Sequence, residues 1–220
     1  MPSRKTPLFT GGIYHVFNKG IDGRKTFSDK TDYERAVRCI DFYHFSDRFC
    51  KLSRFLTLTT KKQQQIFEQT QEKLVEIYCY CLMPNHFHLL IKQLADGGVS
   101  KYLSDFQNSY TRYHNKRQER TGQLFMNQFK AVRVTTDEQL MHVGRYIHLN
   151  PHTGSVVNSL KELRLYPWSS LKEYLKIDGG FCKKEVIVSP PFNEHSYWKF
   201  VGDQADYQKQ LKEIKRLILE

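Results

Sequence analysis

The sequence predicts an α+β domain, an antiparallel β-sheet with helices packed on one face. Three observations carry this. Short β-branched and aromatic runs alternate with longer segments of helical periodicity, in the order strand, helix, strand, strand, helix, strand, helix. Two of the strands are separated only by the tripeptide MPN, which is hairpin spacing. The 220 residues suffice for one buried core or one domain with an appendage.

GGIYHVFNKG, residues 11–20, reads as the first strand, closed by glycines at both ends. KTDYERAVRCIDFYHF follows with Tyr33, Val37, Ile40 and Tyr43 at helical spacing. LTTKKQQQIFEQTQEKL is polar and Gln-rich and reads as an exposed helix or an insertion. Val75 to Met83 is the second strand and Phe87 to Lys92 the third, hairpin-paired through Pro84 and Asn85, which suit a turn. In the helix of GGVSKYLSDFQNSYTRYHNKR, Ser100 is the expected cap and Tyr102, Leu103, Phe106, Tyr110 and Tyr113 form the apolar stripe. QFKAVRV is a fourth strand. TTDEQLMHVGRYIHLNP is a helix capped by Thr135 or Thr136, with Asp137 and Glu138 in its first turn and Pro151 ending it. A short helix follows LYPWSS; the tail then carries SPPF, a linker signal, and finishes in the basic helix QKQLKEIKRLILE.

Lysine and arginine number 34 against 23 acids, a formal charge of +11 that favours polyanionic partners. No apolar run is long enough to span a bilayer and the N-terminus lacks the apolar core of a signal peptide, so the expected location is the cytoplasm, on the nucleoid when bound to DNA, with no membrane partner. Five cysteines without a signal argue against a disulfide framework.

YCYCLMPNHFHLLI places His86 and His88 one residue apart in an apolar strand, so both rings share a face. Two imidazoles suit a divalent metal, and equally a polar patch. Cys79 and Cys81 also share a face, and hairpin register decides whether it is the same one. A turn centred on Pro84 pairs Leu82 with His86 and Tyr80 with His88 and sends the cysteines to the opposite, helix-covered side; that is the favoured register, and a one-residue slip would reverse it. In RYIHLNP, Tyr146 and Asn150 stand four apart on one helix face, a nucleophile and an amide ligand, or a core anchor and a C-terminal cap.

HFH resembles the His-hydrophobic-His motif of the HUH nucleases. YHVFNKG, YHNKR with GQLFMNQFKA, RYIHLNP and YPWSS occur in the order seen in REP-associated tyrosine transposases, bacterial relatives of the single-tyrosine insertion-sequence transposases. The resemblance runs from about Tyr14 to Tyr174 and frames a transposase-like domain over 1–176 with a C-terminal extension over 177–220. It implies a metal-dependent single-stranded DNA endonuclease and strand-transferase acting on hairpin repeats. His86 and His88 would ligate Mg²⁺ or Mn²⁺, with Asn150 where relatives place a polar third ligand, often Gln. Tyr146 would attack the phosphodiester and leave a 5′-phosphotyrosine and a free 3′-OH, in a monomer or a homodimer. Tyr110 and Tyr113 are rival nucleophiles by residue type, set aside as packing residues. His142 lies one turn before Tyr146, and His148 faces elsewhere as a structural residue or DNA contact.

Arg112, Lys116, Arg117, Arg120, Lys130 and Arg133 surround a single acid, Glu119, and with Asn18 and Lys19 form the expected DNA surface, where Phe125 would stack on an unpaired base. Two other classes compete: a DNA- or RNA-binding regulator with the catalytic residues unused, and a histidine phosphoesterase, disfavoured because only one His-x motif is present.

Overall fold

The computed structural model describes residues 6–46, 50–69, 72–188 and 193–205. Its strands are β1 (Ile13–Lys19), β2 (Val75–Met83), β3 (His86–Gln93) and β4 (Lys130–Val134). The helices are α1 (Lys30–Tyr43), α2 (Leu52–Phe55), α3 (Thr60–Gln69), α4 (Gly98–Arg117), α5 (Asp137–Thr153), α6 (Leu160–Arg164), α7 (Leu171–Tyr174) and α8 (Glu194–Gly202). The strands form one antiparallel sheet in the order β2-β3-β1-β4.

The antiparallel sheet and its α+β class are as the sequence predicts, but the helices cover both faces rather than one. Tyr14, Val16, Leu82, Phe87, Leu89 and Ile91 pack with α1 and α4 in one core. Cys79, Cys81, Met83 and Leu90 pack with Ile147 and Leu149 of α5 in a second core on the other side. Nearly every residue of β2 is buried, which is the pattern of a strand covered twice rather than once.

The β2–β3 register is the slipped one. A tight turn of Pro84 and Asn85 pairs Met83 with His86, Leu82 with Phe87 and Cys81 with His88, and an irregularity at Tyr78 restores the in-register pair Ile77–Ile91. The shorter turn moves the side chains of Cys79 to Met83 by one position relative to β3, while Val75 to Ile77 keep the expected pairing. Cys79 and Cys81 therefore share the histidine face, where they are sealed under α5 as packing residues; burial pushes both thiols well up.

Helix caps explain two further shifts. α4 begins at Gly98 rather than Ser100: Gly97 takes the left-handed conformation at φ 63°, and the Val99 amide donates to Gln93 Oε1 at 3.1 Å. In α5 the Thr136 side chain accepts from Gln139 N, and the helix runs through Pro151 to Thr153, since a proline in the last turn forfeits one late hydrogen bond.

YPWSS guards the edge of β2. Leu82 N donates to Trp168 O at 2.8 Å, Tyr80 N donates to Ser170 Oγ at 2.9 Å, and Tyr166 Oη donates to Leu82 O at 2.8 Å. The C-terminal extension is docked as far as it is described: Ile187, Tyr197, Val201 and Ala205 are buried in the α5 core. SPPF and the basic terminal helix lie outside the described residues. No helix among the described residues is long and apolar enough to cross a membrane.

Candidate active site

The histidines stand at the start of β3, on the face that α5 only partly covers. Strand alternation puts Lys19, Phe17 and His15 of β1 on that face, beside His86, His88 and Leu90. The β1–β4 pairing adds Lys130 and Val132, and Val132 is 54% exposed. α5 lies over β2 and β3 and delivers Tyr146 at the boundary. The Tyr146 ring is 41% exposed, while its neighbours Arg145, Ile147 and His148 are buried. It meets the His88 ring edge-on, centroids 5.7 Å apart at 89°, and the His15 ring at 5.8 Å and 72°. The tyrosine and the histidine pair thus converge within one chain, in a cavity of 560 Å³ that Asn85, Gln128, Lys19, Lys130 and Asn150 also line.

Hydrogen bonds orient both rings. His86 Nδ1 lies 2.6 Å from Asn85 Oδ1, an oxygen that only accepts, so Nδ1 donates and Nε2 is directed away from Asn85. His88 Nδ1 lies 2.9 Å from His15 Nε2. Burial lowers His15 to about 4, so it is neutral at physiological pH. The Asn150 amide donates from Nδ2 to Tyr146 O at 2.9 Å, which leaves Oδ1 as the side-chain atom available to a cation. Burial raises the Tyr146 phenol above its ordinary value, and a hydrogen bond from Asn150 offsets part of the shift. Among the described residues no three His, Cys, Asp or Glu side chains are grouped to hold a metal. A divalent cation here would rest on two imidazoles and an amide, a set that fits hard-to-borderline cations and keeps positions open.

The remaining predicted residues separate. Lys19 and Lys130 face the cavity. Asn18 reaches its wall but is buried, its amide donating to Gln107 Oε1 at 2.6 Å and to Met126 O at 2.9 Å. Arg117 holds Asp29 and the buried Asp32 at 2.7 Å each, an ion pair tying α4 to the N-terminus of α1. Arg120 donates to Asn115 Oδ1 and to Gln123 O. Arg133 points to the opposite sheet face, with its guanidinium 4.3 Å from the centroid of the Phe9 ring. Arg112 and Lys116 lie on α4, over the other face, along a separate groove with Arg35 and Lys51. Phe125 is buried among Phe27, Phe87 and Phe106, so its ring is core and not a stacking platform.

Of the rival tyrosines, Tyr110 is buried and donates to Thr26 O at 2.6 Å, and Tyr113 donates to Asp32 Oδ1 at 3.5 Å. His142 accepts from Arg145 at 2.7 Å, and His148 is buried between Tyr197 Oη at 2.8 Å and Ser170 Oγ at 2.9 Å. The residue that motif reasoning passed over is His15. Its signal was alternation: in YHVF it falls on the strand face opposite Tyr14 and Val16, the face it shares with Phe17.

Comparison with known proteins gives a family match and a fold match. The family model described as "Transposase IS200 like" matches residues 51–150, which hold both histidines, Tyr146 and Asn150. A solved structure of a REP-associated tyrosine transposase bound to a REP hairpin superposes with a TM-score of 0.56 at 14% identity, covering 80% of this chain and 86% of that one. No curated protein matches. The chain therefore resembles the IS200-like transposases in the segment that carries its site, and a REP-associated tyrosine transposase in its fold.

Proposed function

We propose that this protein is a metal-dependent single-stranded DNA endonuclease and strand-transferase that acts on hairpin repeats through Tyr146. The observation that carries the reading is the Tyr146 ring packed edge-on against His88, beside a histidine pair whose Nδ1 atoms are both engaged. The phenolic oxygen of Tyr146 attacks phosphorus. The bond to the 3′ oxygen breaks, the phenol gives up its proton, and the leaving oxygen gains one. The products are a 5′-phosphotyrosine and a free 3′-OH, and a second 3′-OH can reverse the step and rejoin strands without ATP. The raised phenol is protonated at neutral pH, so unaided it is a weak nucleophile. A bound Mg²⁺ or Mn²⁺ would supply charge neutralisation at the phosphate. His86, His88 and Asn150 would hold it, while Lys19 and Lys130 draw the DNA backbone to the cavity. The neighbour solved with a REP hairpin supports a hairpin as substrate.

The test is a labelled single-stranded hairpin from repeats flanking the gene, incubated with Mn²⁺ or Mg²⁺ and resolved on a denaturing gel. Cleavage with a covalent adduct is expected. Tyr146→Phe should lose both, and His86→Ala/His88→Ala should lose cutting, as should chelation of the metal. Tight hairpin binding without cleavage in any metal would replace the enzyme with a binding regulator on the same fold.

A further inference from the structure

We propose that His15 is a positioning residue: its Nε2 accepts the Nδ1–H of His88 while its ring supports the edge of Tyr146, so one β1 side chain sets both a metal ligand and the nucleophile. This rests on the reading of His86 and His88 as ligands.

The strand register makes the contact. Phe17 pairs with His88 and His15 with Leu90, so His15 lies diagonally across from His88 on the same face. The two rings stack at 5.1 Å and 24°, with the nitrogens 2.9 Å apart, in a buried position. A neutral imidazole carries one proton on one of two nitrogens. Two neutral rings joined by one hydrogen bond have two arrangements. If His88 donates from Nδ1, its lone pair is on Nε2 and points away from His15. If His15 donates, the His88 proton moves to Nε2 and that nitrogen cannot ligate. His86 shows which arrangement the site uses, because the Asn85 oxygen leaves its ring no choice but to donate from Nδ1. The same need falls on His88, and His15 is the acceptor that meets it. Such supporting partners change metal affinity by roughly 10–100-fold when removed.

The experiment is long-range ¹H–¹⁵N correlation of the histidine rings in the full chain without metal, on wild type, His15→Phe and His15→Gln, followed by Mn²⁺ titration calorimetry on each. Wild type is expected to show His88 as the Nδ1–H form. His15→Phe keeps a ring beside Tyr146 but cannot accept, so the Nε2–H form should appear and Mn²⁺ affinity should fall about 10–100-fold. His15→Gln offers an amide oxygen and should recover most of both. Single-turnover cleavage at saturating hairpin should slow in His15→Phe with hairpin affinity unchanged. An Nε2–H form in wild type overturns the proposal without any variant, as does a His15→Phe protein with unaltered tautomer and affinity. A wild-type Nδ1–H tautomer that shifts in His15→Phe, in a protein that binds no Mn²⁺, supports the orienting bond and sinks the metal reading instead.

Discussion

Replacing His148 with Phe is expected to cost stability at neutral pH and almost none in acid. The ring is fully buried on the helix that carries Tyr146, held by the Tyr197 and Ser170 hydroxyls. Phenylalanine fills the space but deprives the buried Tyr197 hydroxyl of its His148 partner, while Ser170 keeps Tyr80 O at 3.2 Å. Two lost hydrogen bonds and one stranded hydroxyl come to about 2–4 kcal/mol. Acid works against the histidine. Burial holds it at about 3 against an ordinary 6.5, so below pH 6.5 the unfolded chain binds a proton that the folded chain refuses until about pH 3. The unfolded state gains the protons, so this group's contribution to stability falls as pH drops through that window. At pH 4.5, two units below the unfolded value, the loss is about 2.7 kcal/mol. The phenylalanine variant does not carry it. His15 and His44, held at about 4 and about 3, act equally in both proteins and cancel. Urea denaturation at pH 7.5, 6.0 and 4.5 should therefore show the gap between the two proteins closing by about 2–3 kcal/mol. A gap that stays constant with pH would mean that His148 titrates normally in the fold, and the reasoning would fail.

Lys130→Ala should weaken hairpin binding and lower the slope of log affinity against log salt by about 1, whereas Arg117→Ala should leave the slope intact and lower the melting temperature, because it unpairs Asp29 and Asp32; fluorescence anisotropy at several salt concentrations, paired with a thermal melt, separates the two. Gly98→Ala would place a Cβ 2.4 Å from Leu74 O and should cost about 1–3 kcal/mol in urea denaturation; unchanged stability would show that the α4 start can move aside. Thiol labelling of the native protein at pH 8, read by mass spectrometry, should be fast at the half-exposed Cys50 and very slow at the buried Cys39, Cys79 and Cys81, whose thiols are pushed up, Cys39 to about 12; rapid labelling at Cys81 would contradict the seal under α5.

The strands and both major helices were legible because each is written locally, in period 2 or in the 3–4 residue stripe. His86, His88, Tyr146 and Asn150 were legible for the same reason: fixed spacing puts each pair on one face. What escaped was set by distance along the chain. The β2–β3 register turned on whether the turn took three residues or two, and that choice moved the cysteines onto the histidine face. Arg117 looked like a DNA contact because its segment is basic, yet its partners lie 85 and 88 residues away in sequence. Lys130 and Arg133 belong to one short strand, three positions apart, so alternation sends one into the cavity and the other away from it. His15 became visible only when β1 was laid between β3 and β4.

The boundary at residue 176 leads to a last prediction, because the family resemblance and the core disagree about where the domain ends. The resembling motifs stop near Tyr174, but Ile187, Tyr197 and Val201 complete the core beneath α5, and Ile187 approaches Gly144 on that helix. Burying each of these side chains contributes about 1.5–3 kcal/mol, or about 5–9 kcal/mol for the three, less what a compact unfolded state already hides. A domain of this size is stable by about 5–15 kcal/mol in total. Residues 1–176 alone should therefore be near or past the limit of folding, with α5 the first element released and Tyr146 no longer held against His88. Expressed side by side, the full chain should give a cooperative melt and the 1–176 fragment a broad or absent one, with rapid proteolysis inside 137–153. A fragment melting within a few degrees of the full chain would show that the extension is only draped on a finished domain. The loss of cleavage expected in the fragment would then need another cause, because the helix that presents the nucleophile would still be in place.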